Sequence, residues 1–280
     1  MTVLRQTSRA SGHRYFQSAP PEDLRHFISC FWGVHGDSPT PVPIRVIPDG
    51  CADIVVDHDG RLPVMGRDAP TGKPKSFIVG PTLEPALLML PPESMILGIR
   101  LLPGACSVLF GLDAFEISGT AVPLDAVDKA VHQALLFDIS RIASLADRLE
   151  LAVAMLRTRL ADHSPDPVLL HFFHAIASSE SCDPLPAVSG VSSRTLSRRI
   201  GRLAGLGPKR MLRSARFIDA VRTMHFAPTT TLADLSIRLG FTDQAHFGRE
   251  FKAMSGLSPK QWLSERMDGG FLQYLPLPLR

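Results

Sequence analysis

The spacing of apolar residues divides the chain into two parts. Between Leu24 and Leu102 they come in short runs broken by Gly and Pro: residues 24–34, 44–57, 76–81, 86–90 and 95–102. Runs of this length bounded by turn residues read as strands. Pro48, Asp49 and Gly50 supply the turn inside the second run, and Ala52–Val56 is its short apolar strand. Residues 1–20 read as a polar, loose lead-in. Several short strands at this spacing predict a small β-barrel or sandwich.

From residue 105 the period changes to three and four. ACSVLFGL (105–112) predicts a helix with Leu109 and Phe110 inward, ending near Gly111, and 113–128 reads as a connection. Over 139–160, Ile142, Leu145, Leu149, Ala152, Leu156 and Leu160 form one helical stripe. That stripe suits a dimer surface or the chain's own barrel, and the barrel is the favoured reading. ADHSPDP (161–167) has the composition of a linker. VLLHFFHAIAS (168–178) opens a second domain as an amphipathic helix, with His171 and His174 expected to face solvent.

The stretch 240–263, GFTDQAHFGREFKAMSGLSPKQWL, carries the sharpest pattern. Phe247, Phe251 and Met254 stand at i, i+4 and i+7, one face of a helix. Thr242 and Asp243 precede it as caps, and Gly256, Ser258 and Pro259 end it and begin the next element. Shifted back by 51 residues, Leu196–Leu212 aligns with Phe247–Leu263. Six of seventeen positions are identical: Arg198/Arg249, Gly205/Gly256, Leu206/Leu257, Pro208/Pro259, Lys209/Lys260 and Leu212/Leu263. The apolar positions correspond as well, Leu196/Phe247, Ile200/Phe251 and Leu203/Met254. A repeat means one supersecondary unit used twice. Each unit reads as a short helix, a turn with Gly190 or Gly240, and an amphipathic helix, a helix-turn-helix pattern. Residues 208–225 predict a helix joining the units, with Pro208 in its first turn.

Charge sharpens the division. Residues 185–266 hold 14 Lys and Arg against 5 Asp and Glu, whereas the remainder holds 16 against 22. A module of net charge +9 on a body of −6 is the footprint of a phosphate-backbone partner. Cys30, Cys51, Cys106 and Cys182 form no CxxC pair and read as buried thiols in a reducing cytoplasm. No signal peptide, membrane span or metal-ligand cluster is indicated, and Asp53, Asp57 and Asp59 read as a solvated turn.

On these residues, about 168–266 resembles the DNA-binding domain of the AraC/XylS family of bacterial transcription regulators. LADLSIRLGFTDQAHFGREFKAMSGLSPKQW (232–262) carries the second-unit signature nearly complete. The first unit departs from the pattern: DPLPAVSG places Pro184 and Pro186 where the family has an Ala- and Leu-rich helix. The PDG turn with CADIVV, VGP and GIRLLPGA resembles the cupin-like sensor domain of part of that family. The resemblance implies an α+β chain: a sensing or dimerising domain (1–160), a linker (161–167), a DNA-binding domain (168–266) and a tail (267–280). It implies double-stranded DNA as partner, RNA polymerase, a small-molecule effector and a homodimer as further candidates, and no cofactor.

Two recognition helices would then enter successive major grooves. Arg194, Ser197, Arg198, Gln244, Ala245 and Arg249 are the candidates for base contact. Arginine suits guanine O6 and N7, and glutamine suits adenine N6 and N7. Thr195, Arg202, Lys209, Arg210, His246 and Lys260 are the candidates for phosphate. Arg198 and Arg249 have a second reading, bracing helix against helix. The alternative function is a metal-dependent cupin-like enzyme with an accessory DNA-binding module, and it lacks the HxH cluster such enzymes use.

Overall fold

The computed structural model describes residues 5–10, 12–62, 75–138, 145–178, 192–227 and 229–267. Its first half contains the strands β1 (Arg5–Ala10), β2 (His13–Ser18), β3 (Ile28–Gly36), β4 (Val42–Val46), β5 (Ala52–Asp57), β6 (Lys75–Val79), β7 (Ala86–Leu90), β8 (Met95–Leu101) and β9 (Ala121–Pro123). Seven form one antiparallel sheet in the order β1-β2-β3-β8-β5-β6-β9, and β4 pairs with β7 as a separate ribbon.

Both faces of the large sheet are covered. Ala52, Ile54 and Val56 of β5 and Ile99 and Leu101 of β8 join one core, shared with the helices. Val55 and Ile96, on the opposite face, pack with Ile44 of β4 and Leu90 of β7. Burial on both faces explains why these strands read as continuous apolar runs rather than as alternation.

The helical side of this half holds α1 (Ala105–Phe110), α2 (Leu124–Val127), α3 (Lys129–Gln133) and α4 (Leu145–Leu160). Helix α1 stops at Gly111, whose φ of 65° is left-handed. Leu149, Ala152, Leu156 and Leu160 of α4 are buried against the sheet, so this stripe packs on its own domain. Ile142 and the side chain of Leu145 lie outside the described residues.

Three expectations are corrected. Strands β1 and β2 pair antiparallel, so the lead-in is not loose, and β2 runs in register with β3 from His13↔Gly36 to Ser18↔Phe31. The signal was hidden because two of the inward positions of β2, His13 and Gln17, are polar and flank the buried Tyr15. The supposed connection 113–128 contains β9 and α2. Asp53 and Asp57 do not form a solvated turn. Asp57 is fully buried and accepts from the Gly60 and Leu62 N–H groups, while Asp53 accepts from Trp32 Nε1 at 2.7 Å. Trp32 fits there because residue 98 is Gly: a Cβ would stand 2.0 Å from its ring.

The second half is helical: α5 (Pro167–Ser178), α6 (Ser193–Ala204), α7 (Pro208–Phe226), α8 (Leu232–Arg238), α9 (Gln244–Ser255) and α10 (Pro259–Met267). Its core gathers Phe172, Leu196, Ile200, Phe217, Val221, Leu235, Phe247, Phe251 and Trp262. Ile47 and Leu83, from loops of the β half, are buried in that same core.

Candidate nucleic-acid interface

Helices α6 and α9 start and stop by the same chemistry, 51 residues apart. Ser192 Oγ accepts from the Thr195 N–H at 3.2 Å, and Asp243 Oδ1 accepts from the His246 N–H at 2.6 Å. Each occupies one of the donors that a helix leaves free at its start. At the other end Gly205 and Gly256 both have φ of 78°, and their N–H groups donate to the carbonyls of Gly201 and Lys252. Only glycine adopts that conformation without strain.

The anchoring faces are buried. Leu196 and Ile200 on α6, and Phe247, Phe251 and Met254 on α9, are each at most 2% exposed. The second unit is packed by aromatic rings: Phe251 meets Phe217 at 5.2 Å, Phe247 at 5.7 Å and Trp262 at 5.6 Å.

The opposite faces are open. Arg194, Thr195 and Arg198 of α6 and Gln244, Ala245 and Arg249 of α9 are exposed, and Ser197 is half-buried. Among the described residues no ion pair or side-chain hydrogen bond ties Arg198 or Arg249 to another helix, and nothing there supports the bracing role. Gly248 lies between Gln244 and Arg249 with nothing within 4 Å of where its Cβ would be. Protein packing therefore does not require a glycine there.

The phosphate candidates fall into two groups. Lys209, Arg210 and Lys260 are exposed in the first turns of α7 and α10, where free N–H groups add positive potential. The start of α10 is a reciprocal capping box: Gln261 Oε1 accepts from the Ser258 N–H at 2.9 Å, and Ser258 Oγ from the Gln261 N–H at 3.3 Å. The others are already engaged. Thr195 Oγ1 lies 3.0 Å from Ser192 Oγ, His246 packs edge-on against Phe241 at 5.4 Å, and Arg202 Nε donates to Asp113 at 2.8 Å.

Asp113 and its counterpart on the second unit, Arg45, had no signal in the sequence. Arg45 Nη1 donates to the Ser255 carbonyl at 3.1 Å. Both side chains come from the β half, separated from their partners by 89 and 210 residues. Arg199–Asp166 at 2.7 Å and Arg213–Glu250 at 2.7 Å are further pairs at this site. Among the described residues no group of three or more His, Cys, Asp or Glu is placed to hold a metal ion, and no helix is long and apolar enough to cross a membrane.

Residues 185–265 match the family model described as a helix-turn-helix domain. The C-terminal module is an AraC-type helix-turn-helix domain. Residues 17–123 match a second family, a domain of unknown function designated DUF6597. Over 136 residues the chain is 29% identical to the HTH-type transcriptional activator RhaS of Escherichia coli strain SE11, covering 48% of this chain and 44% of that protein. RhaS of strain K12 / DH10B is 31% identical over the same length and with the same coverage. The chain thus spans less than half the length of the curated relatives it matches. Among solved structures, ToxT from Vibrio cholerae O395 aligns at 10% identity and a TM-score of 0.38, covering 84% of this chain and 97% of that one. A second ToxT structure aligns at 10% identity and a TM-score of 0.40, covering 94% and 97%.

The AraC-type domain is described from residue 192 onward, through α6, α7, α8, α9 and α10. Its opening stretch with Pro184 and Pro186, the expected short first helix, lies outside the described residues. Helix α6 carries Arg194, Arg198, Arg199 and Arg202 and no acidic residue, whereas α9 carries Arg249 and Lys252 with Glu250.

Proposed function

We propose that this chain is a sequence-specific DNA-binding transcription regulator that reads two adjacent sites with α6 and α9. The observation that carries the reading is a duplicated helix with matched caps, a buried apolar face and an open face bearing arginine. B-DNA admits one α-helix per major groove, with the N-terminal residues of a recognition helix toward the base edges. Arg194, Ser197 and Arg198 serve one groove, and Gln244, Ala245 and Arg249 the next. Helix α7, with its 19 residues, is about 28 Å long at ~1.5 Å per residue. Successive groove faces lie roughly 34 Å apart.

Lys209, Arg210 and Lys260 take the phosphates beside each helix, with Thr195 and His246 at the edges. Arg202 reaches a phosphate only by leaving Asp113. The β half, residues 1–160, acts as the sensing or dimerising domain. Residues 161–167 link it to the DNA-binding domain at 168–266. An effector bound in the β half, or a second copy of the chain, would change operator affinity through this linkage. RNA polymerase is the partner of such a regulator, and the cytoplasm its compartment.

The test is a gel shift of the full chain against its own upstream DNA, with salt and unrelated competitor DNA varied. A specific complex that survives competitor and weakens steeply with salt is expected. Binding no tighter than to unrelated DNA at moderate salt would overturn the proposal.

A further inference from the structure

The two recognition helices are held at their far ends by the same piece of the β half. At the last turn of α6, the Ala114 N–H donates to the Arg202 carbonyl at 2.9 Å while Asp113 pairs with the Arg202 side chain. The capping Gly205 lies so close beneath this loop that a Cβ would stand 2.4 Å from Pro81 Cγ and 2.8 Å from the Ala114 carbonyl oxygen. At the last turn of α9, Arg45 donates to the Ser255 carbonyl, and its Nη1 lies 2.8 Å from where a Cβ on Gly256 would be, with Pro85 nearby. Arg45 also approaches Glu265 of α10 at 3.9 Å. Gly205 and Gly256 are the same position of the repeat.

The gripping residues form one body. Pro81, Leu83 and Pro85 belong to the single loop between β6 and β7, and Leu83 is buried in the helical core. Arg45 sits on β4 directly across from Leu87 of β7. A third contact falls on α7 itself: Gly50 packs against Met211 and Ser214. Its loop is anchored by Arg100, whose Nη1 lies 2.8 Å from Asp49 and whose Nη2 lies 3.2 Å from Asp53. Burial opposes the charge of Arg100, but Asp49 and Asp53 outweigh it and hold the guanidinium above its ordinary range.

We infer that the β half is a brace that sets the spacing of α6 and α9, with Asp113 and Arg45 as its positioning residues. The inference rests on the reading of these helices as DNA-reading elements. Helix C-termini carry unpaired carbonyls and partial negative charge, which suit an N–H donor at α6 and a guanidinium at α9. Gripping there leaves the N-terminal turns free to enter the grooves. Without the brace, α7 alone connects the units, and each can rotate about its own packing contacts.

The full chain and the double variant Arg45→Ala/Asp113→Ala are compared by fluorescence anisotropy on operators whose half-sites are moved apart or together by one base pair. The wild type should lose about tenfold in affinity at the wrong spacing, the scale of one mismatched base pair. The double variant should bind the natural spacing several-fold more weakly and lose most of that discrimination. Arg45→Lys, which keeps a cation at the Ser255 carbonyl, should retain the discrimination that Arg45→Ala loses. A spacing profile in the double variant that matches the wild type would overturn the brace. Hydrogen exchange without DNA gives an independent readout. Amides in the last turns of α6 and α9 should exchange faster in the double variant, and unchanged protection there would also overturn the brace. A wild type that binds no operator specifically would instead sink the regulator reading itself, while the exchange comparison still decides whether the grip holds the helices.

Discussion

The two helix-turn-helix units share their frame and differ in what holds it. Ser192 and Asp243 cap the starts, Gly205 and Gly256 end the helices, and the buried Leu196 and Ile200 correspond to the buried Phe247 and Phe251 at a shift of 51 residues. The second unit has an aromatic core: Phe247, Trp262 and Phe217 of α7 close around Phe251. The first is aliphatic, and two of its four arginines are tied outward, Arg199 to Asp166 and Arg202 to Asp113. A duplicated motif can thus keep its geometry while one copy packs aromatic rings and the other packs aliphatic side chains and adds ion pairs to its neighbours.

The largest test of this contrast is in the cores. Phe251→Ala should destabilise by about 4 kcal/mol and Ile200→Ala by about 3, since a ring leaves the larger cavity. Urea unfolding of the two variants measures the difference, and an Ile200→Ala cost above that of Phe251→Ala would reverse the comparison. Next come the reading faces. Arg198→Ala and Arg249→Ala should each remove about 1–3 kcal/mol of base discrimination, confined to the half-site its own helix reads. Binding to operators mutated one half-site at a time checks this, and a loss spread over both half-sites would mark the arginine as a phosphate contact.

The caps should differ by less. Ser192→Ala should cost about 1 kcal/mol, and Asp243→Ala somewhat more because its charge also meets the helix dipole. Thermal melts of the two variants compare them. The smallest expected change in stability is at Gly248. Gly248→Ala should stabilise α9 by up to about 1 kcal/mol, because a Cβ there meets open space, yet it should weaken DNA binding if close approach is the reason for the glycine. A stabilised variant with undiminished affinity would remove that reason.

The helical half was legible because its signals are local. Three apolar residues at helical spacing, a capping Asp243 and a Gly256 stop suffice to place α9, and the repeat then places α6. The strands from Ala52 to Leu101 were legible as apolar runs, but their partners were not, since β4 turns away from β5 to pair with β7. The β1–β2 pairing was missed because His13 and Gln17 put polar atoms where a core face was sought. Asp53 looked like a turn residue because its partners, Trp32 and Arg100, lie 21 and 47 residues away. For the candidate interface, the exposed face could be read from helical phase alone. Asp113 and Arg45 could not, because an ion pair or cap between distant segments leaves no periodic trace.

The central claim is that two equivalent helices read one duplex in adjacent grooves. Hydroxyl-radical footprinting of the full chain on its operator tests it most directly. Two protected patches on the same face, about 10 base pairs apart, are predicted, with Arg198→Ala weakening one patch and Arg249→Ala the other. A single patch, or two patches that respond identically to both substitutions, would contradict the account.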